Sequence, residues 1–214
     1  MDVSPDSRNA ESAEAYFMKR IWLKLATLAV LFLSAPSWAS ETSPRNCTWC
    51  HGTGAQGYAA APRLAGQRAA YIAAQLRDYA AHIRDNPFSK QYMWGAAANL
   101  RPDTVRDLAA YFESLPPKAA QDGRRLLAEK GQAIYVQGIP EANVVACLAC
   151  HGPGGQGVRE IPRLGGMSYF YLKRRLEEWG QGYHSAPGSP MPMVASTLGP
   201  SEIEALASYL SYVR

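Results

Sequence analysis

The sequence has few of the residues that mark several common classes of protein. Only 4 of its 214 residues are cysteine, too few for a fold held together by many disulfides. Charged residues make up 19% of the chain, and its formal net charge of +4 includes no long lysine or arginine run, which argues against nucleic-acid binding. A disordered chain would be poorer in apolar residues than the 47% found here. The composition therefore indicates a globular protein of one or two domains.

The chain also has no apolar run of the roughly 20 residues that a membrane-spanning helix needs. The largely apolar stretch 21–33 is 13 residues long, follows Lys19 and Arg20, and precedes small residues around Ala39. We predict a secretory signal peptide over residues 18–39, cleaved near Ala39, with an uncleaved membrane anchor as the alternative. Residues 1–17 are polar and acidic, and we interpret them as an upstream start-site extension before Met18.

The rest of the chain contains one pattern twice. CTWCHGTGAQG at residues 47–57 recurs as CLACHGPGGQG at 147–157, and PRLAG at 62–66 recurs as PRLGG at 162–166. At this offset of 100, 13 of the 30 positions between 47 and 76 are identical. Further on the offset becomes 98, where LAAY at 108–111 pairs with LASY at 206–209. A shared order over such a length indicates a duplicated domain.

Each copy carries Cys-x-x-Cys-His, the attachment motif for c-type haem. Two thiols three residues apart on one helical turn can reach both vinyl groups of a porphyrin, and the adjacent histidine then lies under the iron as its proximal ligand. A zinc site is a weaker interpretation, because the two cysteine pairs are 97 residues apart, and a thioredoxin-like pair does not require the histidine. We therefore predict two covalently bound haem c groups. The residues that would hold them are Cys47, Cys50 and His51 in the first copy and Cys147, Cys150 and His151 in the second.

A proline follows each of these histidines by 11 residues. The carbonyl of Pro62 or Pro162 can accept the Nδ1–H bond that orients a proximal ligand, although a simple loop proline is the alternative. Arg63 and Arg163 come next, and we expect them either to pair with haem propionates or to be surface residues inherited by duplication.

Tandem modules of the form CxxCHGxGxQG…PRLxG…Tyr…Met…Leu…LAxY resemble the two-haem periplasmic cytochromes c of the c4 type, over nearly the whole chain after residue 39. The resemblance implies an all-α protein of two class I cytochrome c domains around a pseudo-twofold axis, each with one covalent haem and a His/Met-ligated iron. We place domain 1 at residues 40–117 and domain 2 at 118–214, because Pro116 and Pro117 end a helix.

The same resemblance implies an electron carrier in a periplasmic respiratory chain, rather than an enzyme. Electrons would pass from a quinol-oxidising complex or a dehydrogenase to a terminal oxidase or another acceptor. The partners would be redox proteins, with no nucleic acid and no small-molecule substrate. A haem subunit of a dehydrogenase complex, such as a flavoprotein sulfur oxidoreductase, is the alternative, and a dihaem peroxidase is less favoured because no paired acid and base flank either motif.

A distal methionine is required for each iron if both are His/Met-ligated. Met93 is the only methionine of domain 1, and Met191 occupies the matching position in domain 2. Met193 is the alternative to Met191, whereas Met167 is expected to pack. His82 and His184 match no histidine in the other domain, and we interpret both as solvated surface residues rather than ligands.

The remaining pattern predicts helices and loops. Pro102 and Pro200 are expected to begin helices, and a further helix is predicted from Asp122 to Tyr135, with Gly131 permitting close approach to the helix of the LASY segment. Domain 1 has no counterpart of that helix after residue 39, so we expect part of its Leu108 and Phe112 face to be uncovered unless domain 2 or a partner protein shields it. The basic run at 173–175 is either a docking site for an acidic redox partner or a solvated helix face.

Overall fold

The computed structural model describes residues 43–184 and 188–214, and the regular structure in these ranges is helical. Extended pairing among the described residues is limited to two isolated bridges, Ile139 with Val144 and Val158 with Ile161. The prediction of an all-α fold is therefore confirmed. The predicted extension, signal peptide and cleavage site, residues 1–39, lie outside the described residues. Within the two ranges, no helix combines the length and apolar character needed to cross a membrane.

The three longest helices of domain 1 begin directly after an extended residue, and two of them have proline as their first residue. In chain order they are α1 (Pro44–His51), α2 (Ala69–Ala80), a π-helical segment (Ser89–Met93), α3 (Trp94–Ala97) and α4 (Pro102–Ser114). Pro102 is the first residue of α4, as predicted, because the first helical position has no use for a backbone N–H. Helix α4 ends just before Pro116 and Pro117, which cannot continue it.

Domain 2 repeats this order and adds a helix at its start. Its helices are α5 (Ala128–Gln137), α6 (Leu148–His151), α7 (Tyr169–Gly180), α8 (Met191–Ser196) and α9 (Pro200–Tyr212), with 3₁₀ turns at Arg125–Leu127 and Pro140–Ala142. Helix α5 starts later than the predicted Asp122. The backbone N–H groups of Gly123 and Arg124 donate to the hydroxyls of Ser211 and Ser208 on α9, so this stretch is held against α9 before the helix begins.

Helices α5 and α9 pack closely because Gly131 has no side chain. A Cβ at Gly131 would lie 2.0 Å from the carbonyl oxygen of Ala205 and 2.7 Å from Cβ of Tyr209. The rings of Tyr135 and Tyr209 lie beside this contact, with centroids 5.6 Å apart. The predicted close approach at Gly131 is thus present in the structure.

The expectation that Leu108 and Phe112 are uncovered in domain 1 is wrong. Leu108 is 3% exposed and Phe112 is 1% exposed. Both pack with Ile72 of α2 and with Ala55 and Ala65 of the loops between α1 and α2, so their own domain covers them. Leu108 and Phe112 point into domain 1. A counterpart of α5 would instead meet the opposite, outer face of α4.

That outer face of α4 carries Asp107, Ala110 and Tyr111, which are exposed. At the offset of 98 they correspond to residues on α9 that α5 covers, including Ala205 and Ser208, both 0% exposed. The two domains therefore differ in the outer surface of their last helix, whereas the inner surface of that helix is buried in both.

The two PRLxG segments join the domains. The guanidinium of Arg63 donates to the carbonyl oxygen of Gly166 at 2.8 Å and to that of Gly165, while Nε of Arg163 donates to the carbonyl oxygen of Gly66 at 3.0 Å. The amide of Gln67 also accepts from and donates to the backbone of Arg163. Equivalent residues thus bond to each other's segments, as the pseudo-twofold arrangement requires.

Candidate functional site

Helix α1 places the first Cys-x-x-Cys-His motif on a single short helix. Ser43 caps the helix by accepting from the N–H of Arg45, and the helix ends at Gly52, whose φ of 84° lies in the left-handed region that favours glycine. Cys47 and Cys50 are therefore one helical turn apart, and neither forms a disulfide. In domain 2, Cys147 precedes α6 and Cys150 lies on it, also without a disulfide. Both thiol pairs have the spacing that attachment to one porphyrin needs.

Each motif histidine is buried and bonded to the predicted proline. Nδ1 of His51 lies 2.7 Å from the carbonyl oxygen of Pro62, and Nδ1 of His151 lies 2.9 Å from that of Pro162. Because a carbonyl only accepts, Nδ1 must carry the proton and Nε2 keeps its lone pair. Burial also lowers the pKa of both histidines, which favours the neutral ring that a metal requires. The geometry leaves one nitrogen of each ring available as an iron ligand.

Burial raises the pKa of the first thiol of each motif, whereas it lowers the pKa of the histidines. Desolvation raises the pKa of the Cys47 thiol and raises that of Cys147 to about 11. Both thiols are therefore protonated at neutral pH, and a protonated thiol is a poor nucleophile for disulfide exchange. In the two described ranges, no three His, Cys, Asp or Glu side chains converge as a metal site, so the zinc interpretation has no ligand set.

A cavity of about 260 Å³ lies beside the motif of domain 1. Its wall includes Cys50 and His51 from α1 and Met93 from the end of the π-helical segment. Most of the remaining wall is aromatic or aliphatic. Those aromatic and aliphatic residues are Tyr58, Ala60, Ala61, Pro62, Tyr79, Phe88, Tyr92 and Tyr171. A thiol, an imidazole and a thioether around an apolar space are the groups that fit a covalently bound haem c.

In domain 2 the structure separates the two methionines proposed for the distal position. Met193 is 71% exposed, whereas Met191 is partly buried at the first position of α8. Two residues apart on a helix, the two side chains point in very different directions, so only one of them can face the interior. Met167 is 4% exposed in the core of domain 2, where it packs as expected.

The surface alternative is wrong for Arg63, whereas the pairing of Arg63 and Arg163 with haem propionates stays a prediction. Arg63 is 3% exposed, so it is not a surface residue, and its donors go to backbone carbonyls of Lys118, Gly165 and Gly166. Burial lowers the pKa of Arg63 to about 10. In this structure both arginines join the domains through carbonyl groups.

The two unmatched histidines lie in different environments. His82 is exposed and stacks on Trp94 with centroids 3.9 Å apart. The interpretation of His184 as a solvated residue is wrong, because it is 7% exposed and Nδ1 lies 3.2 Å from Nη2 of Arg175. Desolvation, reinforced by Arg84 and Arg175, lowers the pKa of His184 to about 3, so its ring is neutral.

Sequence reasoning missed the buried groups between the two domains. Arg84, Arg175 and Glu178 are each at least nine-tenths buried, and Arg84 reaches Tyr171 of the other domain at 3.0 Å. The basic run at 173–175 faces two directions. Lys173 bonds to Glu177 at 2.9 Å, whereas Arg174 and Arg175 line the cavity of domain 1. The sequence shows the basic run, but it does not show which of its side chains face the other domain.

Comparison with known proteins gives the same organisation. Residues 40–116 and 128–214 each match the family profile of cytochrome c. The chain is 36% identical over 213 residues to the thiosulfate dehydrogenase electron acceptor of Stutzerimonas stutzeri strain A1501, covering 92% of this chain and 97% of that protein. It is 37% identical over 173 residues to cytochrome c4 of Thiocapsa roseopersicina, covering 77% of this chain and 85% of that protein.

A solved structure agrees with this relationship. The cytochrome c4 of Acidithiobacillus ferrooxidans superposes with a TM-score of 0.73 at 34% identity, over 78% of this chain and 98% of that chain. The match extends over both repeats, so the arrangement of the two domains is shared along with the fold of each.

Proposed function

Because this chain belongs to the cytochrome c family and is a two-domain protein of the cytochrome c4 type, we propose that its two domains each hold one covalent haem c and that it carries electrons in the periplasm. In this proposal Cys47, Cys50, Cys147 and Cys150 form the thioethers. The chain would reach the periplasm with residues 18–39 as its signal peptide. It would have no catalytic reaction of its own.

The observation that best supports the proposal is the pairing of a fixed histidine with a methionine on the same cavity. The carbonyl of Pro62 directs Nε2 of His51, and Met93 lies in the wall of the cavity that His51 also lines. His151 has the same bond to Pro162, and Met191 holds the position equivalent to Met93. When bound, haem c supplies a one-electron iron couple. The histidine and methionine would both hold the iron, so a substrate would find no free ligand position there.

The hydrogen-bonded imidazoles and the mostly apolar cavity wall suit electron transfer. His51 and Met93 would hold the haem iron, and the mostly apolar wall of the cavity would limit the rearrangement of its surroundings when the iron couple changes oxidation state. The chain's contribution is to fix the imidazole tautomer, to present one thioether and to limit water at the porphyrin. These contributions come from residues that both domains share by duplication.

The electron donor is the finer part of the proposal. A relative 36% identical over nearly its full length is named as the electron acceptor of thiosulfate dehydrogenase, which favours a dehydrogenase as donor. A stable haem subunit of such a complex is the second candidate, and the relatives named cytochrome c4 favour a freely diffusing carrier. The acceptor would be a terminal oxidase or another redox protein.

Potentiometric titration of the purified holoprotein, followed by visible absorption, tests the function. We expect two reversible one-electron couples and a thioether-to-ferric-iron band in the near red that accounts for both haems, since both irons are His/Met-ligated. High-spin haem in the resting protein would contradict the carrier and favour a peroxidase. Size-exclusion chromatography of the native preparation separates the two candidates, because a haem subunit elutes with its dehydrogenase and a carrier elutes alone.

Substitution of the two methionines of α8 tests the axial ligand of domain 2. We expect Met191→Ala to abolish about half of the near-red band and to lower one midpoint potential, because the thioether ligand raises the potential of haem iron. Met193→Ala removes the same side chain two residues away and should leave both features unchanged, as its side chain is 71% exposed. Loss of the band in Met193→Ala with retention in Met191→Ala would reverse the assignment.

A further inference from the structure

The cavity of domain 1 has a strongly cationic wall. Arg84 of domain 1 and Arg174 and Arg175 of domain 2 line it, together with His51 and Met93. The described part of the chain contributes no aspartate or glutamate to this wall. Cations in a largely buried apolar wall are costly unless anions compensate them, so the cavity is suited to an anionic ligand.

Arg84 is the clearest case, because it is a buried cation whose partners are all neutral. It is 4% exposed and donates to Oε1 of Gln75 at 2.6 Å, to the hydroxyl of Tyr171 at 3.0 Å and to that of Tyr71 at 3.4 Å. Its Nε is buried and has no hydrogen-bond partner. Among the described residues, no carboxylate lies within ion-pair distance of Arg84. Buried arginines are almost always paired, so this one is expected to meet an anion.

Arg174 of domain 2 is held in place by domain 1, whereas the ion pair of Arg175 with Glu178 lies within domain 2. Arg174 donates to the carbonyl oxygens of Ala59 and Ala60 in domain 1, at 2.8 and 3.0 Å, and its guanidinium lies 4.3 Å from the ring centroid of Phe88. Its buried Nε makes no hydrogen bond. These contacts fix the guanidinium against the edge of the first cavity before any ligand is considered.

The charges around the cavity indicate how much negative charge the ligand should carry. Arg175 pairs with Glu178, and Nε of Arg174 lies 3.6 Å from the same carboxylate. Three guanidiniums therefore share one carboxylate in ion-pair contact, an excess of two positive charges. Asp78 offsets part of this excess from beyond ion-pair distance, since the charge of Arg84 counteracts the desolvation that raises the pKa of Asp78. A haem c carries two propionate carboxylates, and guanidinium groups are the side chains best suited to bind carboxylates.

The same wall is missing from the duplicated domain. At the offset of 100, Arg174 and Arg175 correspond to Ala74 and Gln75, and Arg84 corresponds to His184. Two neutral side chains and a buried neutral imidazole thus replace three cations. The three cations of this wall therefore have no cationic equivalents at the matching positions.

Building on the proposed function, we propose that Arg84, Arg174 and Arg175 bind the two propionates of the haem in domain 1. Domain 2 then supplies two of the three cations of a haem site that lies in the other domain. The consequence is electronic as well as structural. Positive charge beside a haem favours the ferrous state, so the potential of the first haem depends on residues of the second domain.

The test compares charge-removing variants by potentiometric titration of the holoprotein. The couple of the first haem is identified with Met93→His, which replaces the thioether and lowers that couple alone. We expect Arg84→Gln and Arg174→Gln each to shift the reduction equilibrium of the first haem about tenfold toward the oxidised form, about 59 mV for a one-electron couple. The second couple should move by less than a third of that.

Lys173→Gln is the matched control, because it removes the same charge one residue from Arg174 but on a side chain outside the cavity wall. Equal shifts in Lys173→Gln and Arg174→Gln, or no shift in Arg84→Gln and Arg174→Gln, would overturn the proposal. Should Arg84→Gln fail to accumulate, Arg84→Lys keeps the charge and is expected to stay near the wild-type potential, so a full shift there would also contradict it. The parent protein is titrated in parallel. Two couples with His/Met spectra there would support the proposed function, whichever way the variants shift the first couple.

Discussion

The double variant Cys47→Ala/Cys50→Ala should contain half the haem of the parent protein and have an unfolded domain 1. Without its thioethers the first haem is no longer held covalently, and the domain loses the apolar body that would fill the cavity between His51 and Met93. The protein core left behind is small. Its main cluster consists of Ala55, Ala65, Ile72, Leu108, Ala109 and Phe112, half of them alanine.

So few large side chains cannot hold a domain of this size, because small domains are marginal even with complete cores. We expect the loss to exceed the roughly 5 kcal/mol that a small domain has available. Haem is measured by its pyridine complex, and folding is measured by circular dichroism during thermal unfolding. The expected trace has one transition from domain 2, with the helix content of domain 1 already lost.

Cys147→Ala/Cys150→Ala is the matched variant in domain 2. That domain retains a larger protein core, including Tyr135, Leu172, Leu206 and Leu210, so we expect it to keep more helix without its haem. Helix loss that is equal in the two variants would contradict the argument from core size. A Cys47→Ala/Cys50→Ala protein with full haem content would contradict the attachment residues themselves.

Gly131→Ala should destabilise domain 2 by about 2–4 kcal/mol, because overpacking between two backbones cannot relax by a rotamer change. The new Cβ would lie 2.0 Å from the carbonyl oxygen of Ala205 and 2.6 Å from its carbonyl carbon. Helix α5 would have to move away from α9, which separates the rings of Tyr135 and Tyr209 and exposes the amide groups that Ser208 and Ser211 now satisfy.

Gly95→Ala provides the control for this substitution. Gly95 lies in α3, and a Cβ there would meet nothing within 4 Å. Alanine is about 0.5–1 kcal/mol better than glycine inside a helix, so this variant should be neutral or slightly stabilised. The free energy of unfolding is measured by guanidinium titration of each holoprotein. Equal stability of the two variants would mean that the α5–α9 contact tolerates a methyl group.

Local spacing explains why the sites could be predicted from the sequence. A thioether pair with its adjacent histidine is encoded in five consecutive residues, and the proline that orients the ring lies 11 residues away in both copies. The duplication also supports each assignment from the second copy, since Met191 occupies the position that matches Met93. These features depend on helix geometry and chain order, which a sequence displays directly.

Contacts between the domains could not be predicted from local sequence patterns. Arg63 lies beside haem-motif residues in the sequence, but its guanidinium meets the carbonyls of Gly165 and Gly166 more than a hundred residues away. His184 lies in a glycine-rich and serine-rich segment, which suggested solvent, but Asp85 of domain 1 accepts from its backbone N–H and Arg175 contacts its ring. Nothing local distinguishes a buried charged residue from a solvated one.

The amino-acid sequence by itself determined that this chain is a duplicated, helical cytochrome c with two attachment motifs, because covalent attachment and proximal ligation depend on residues that are neighbours along one helix. Only the tertiary structure decided how the duplication became asymmetric. Domain packing brings Arg84, Arg174 and Arg175 around one cavity, buries Arg84 and Arg175, and leaves Lys173 outside it. The cost of a buried charge depends on every group around it, and those groups come together only when the two domains fold against each other.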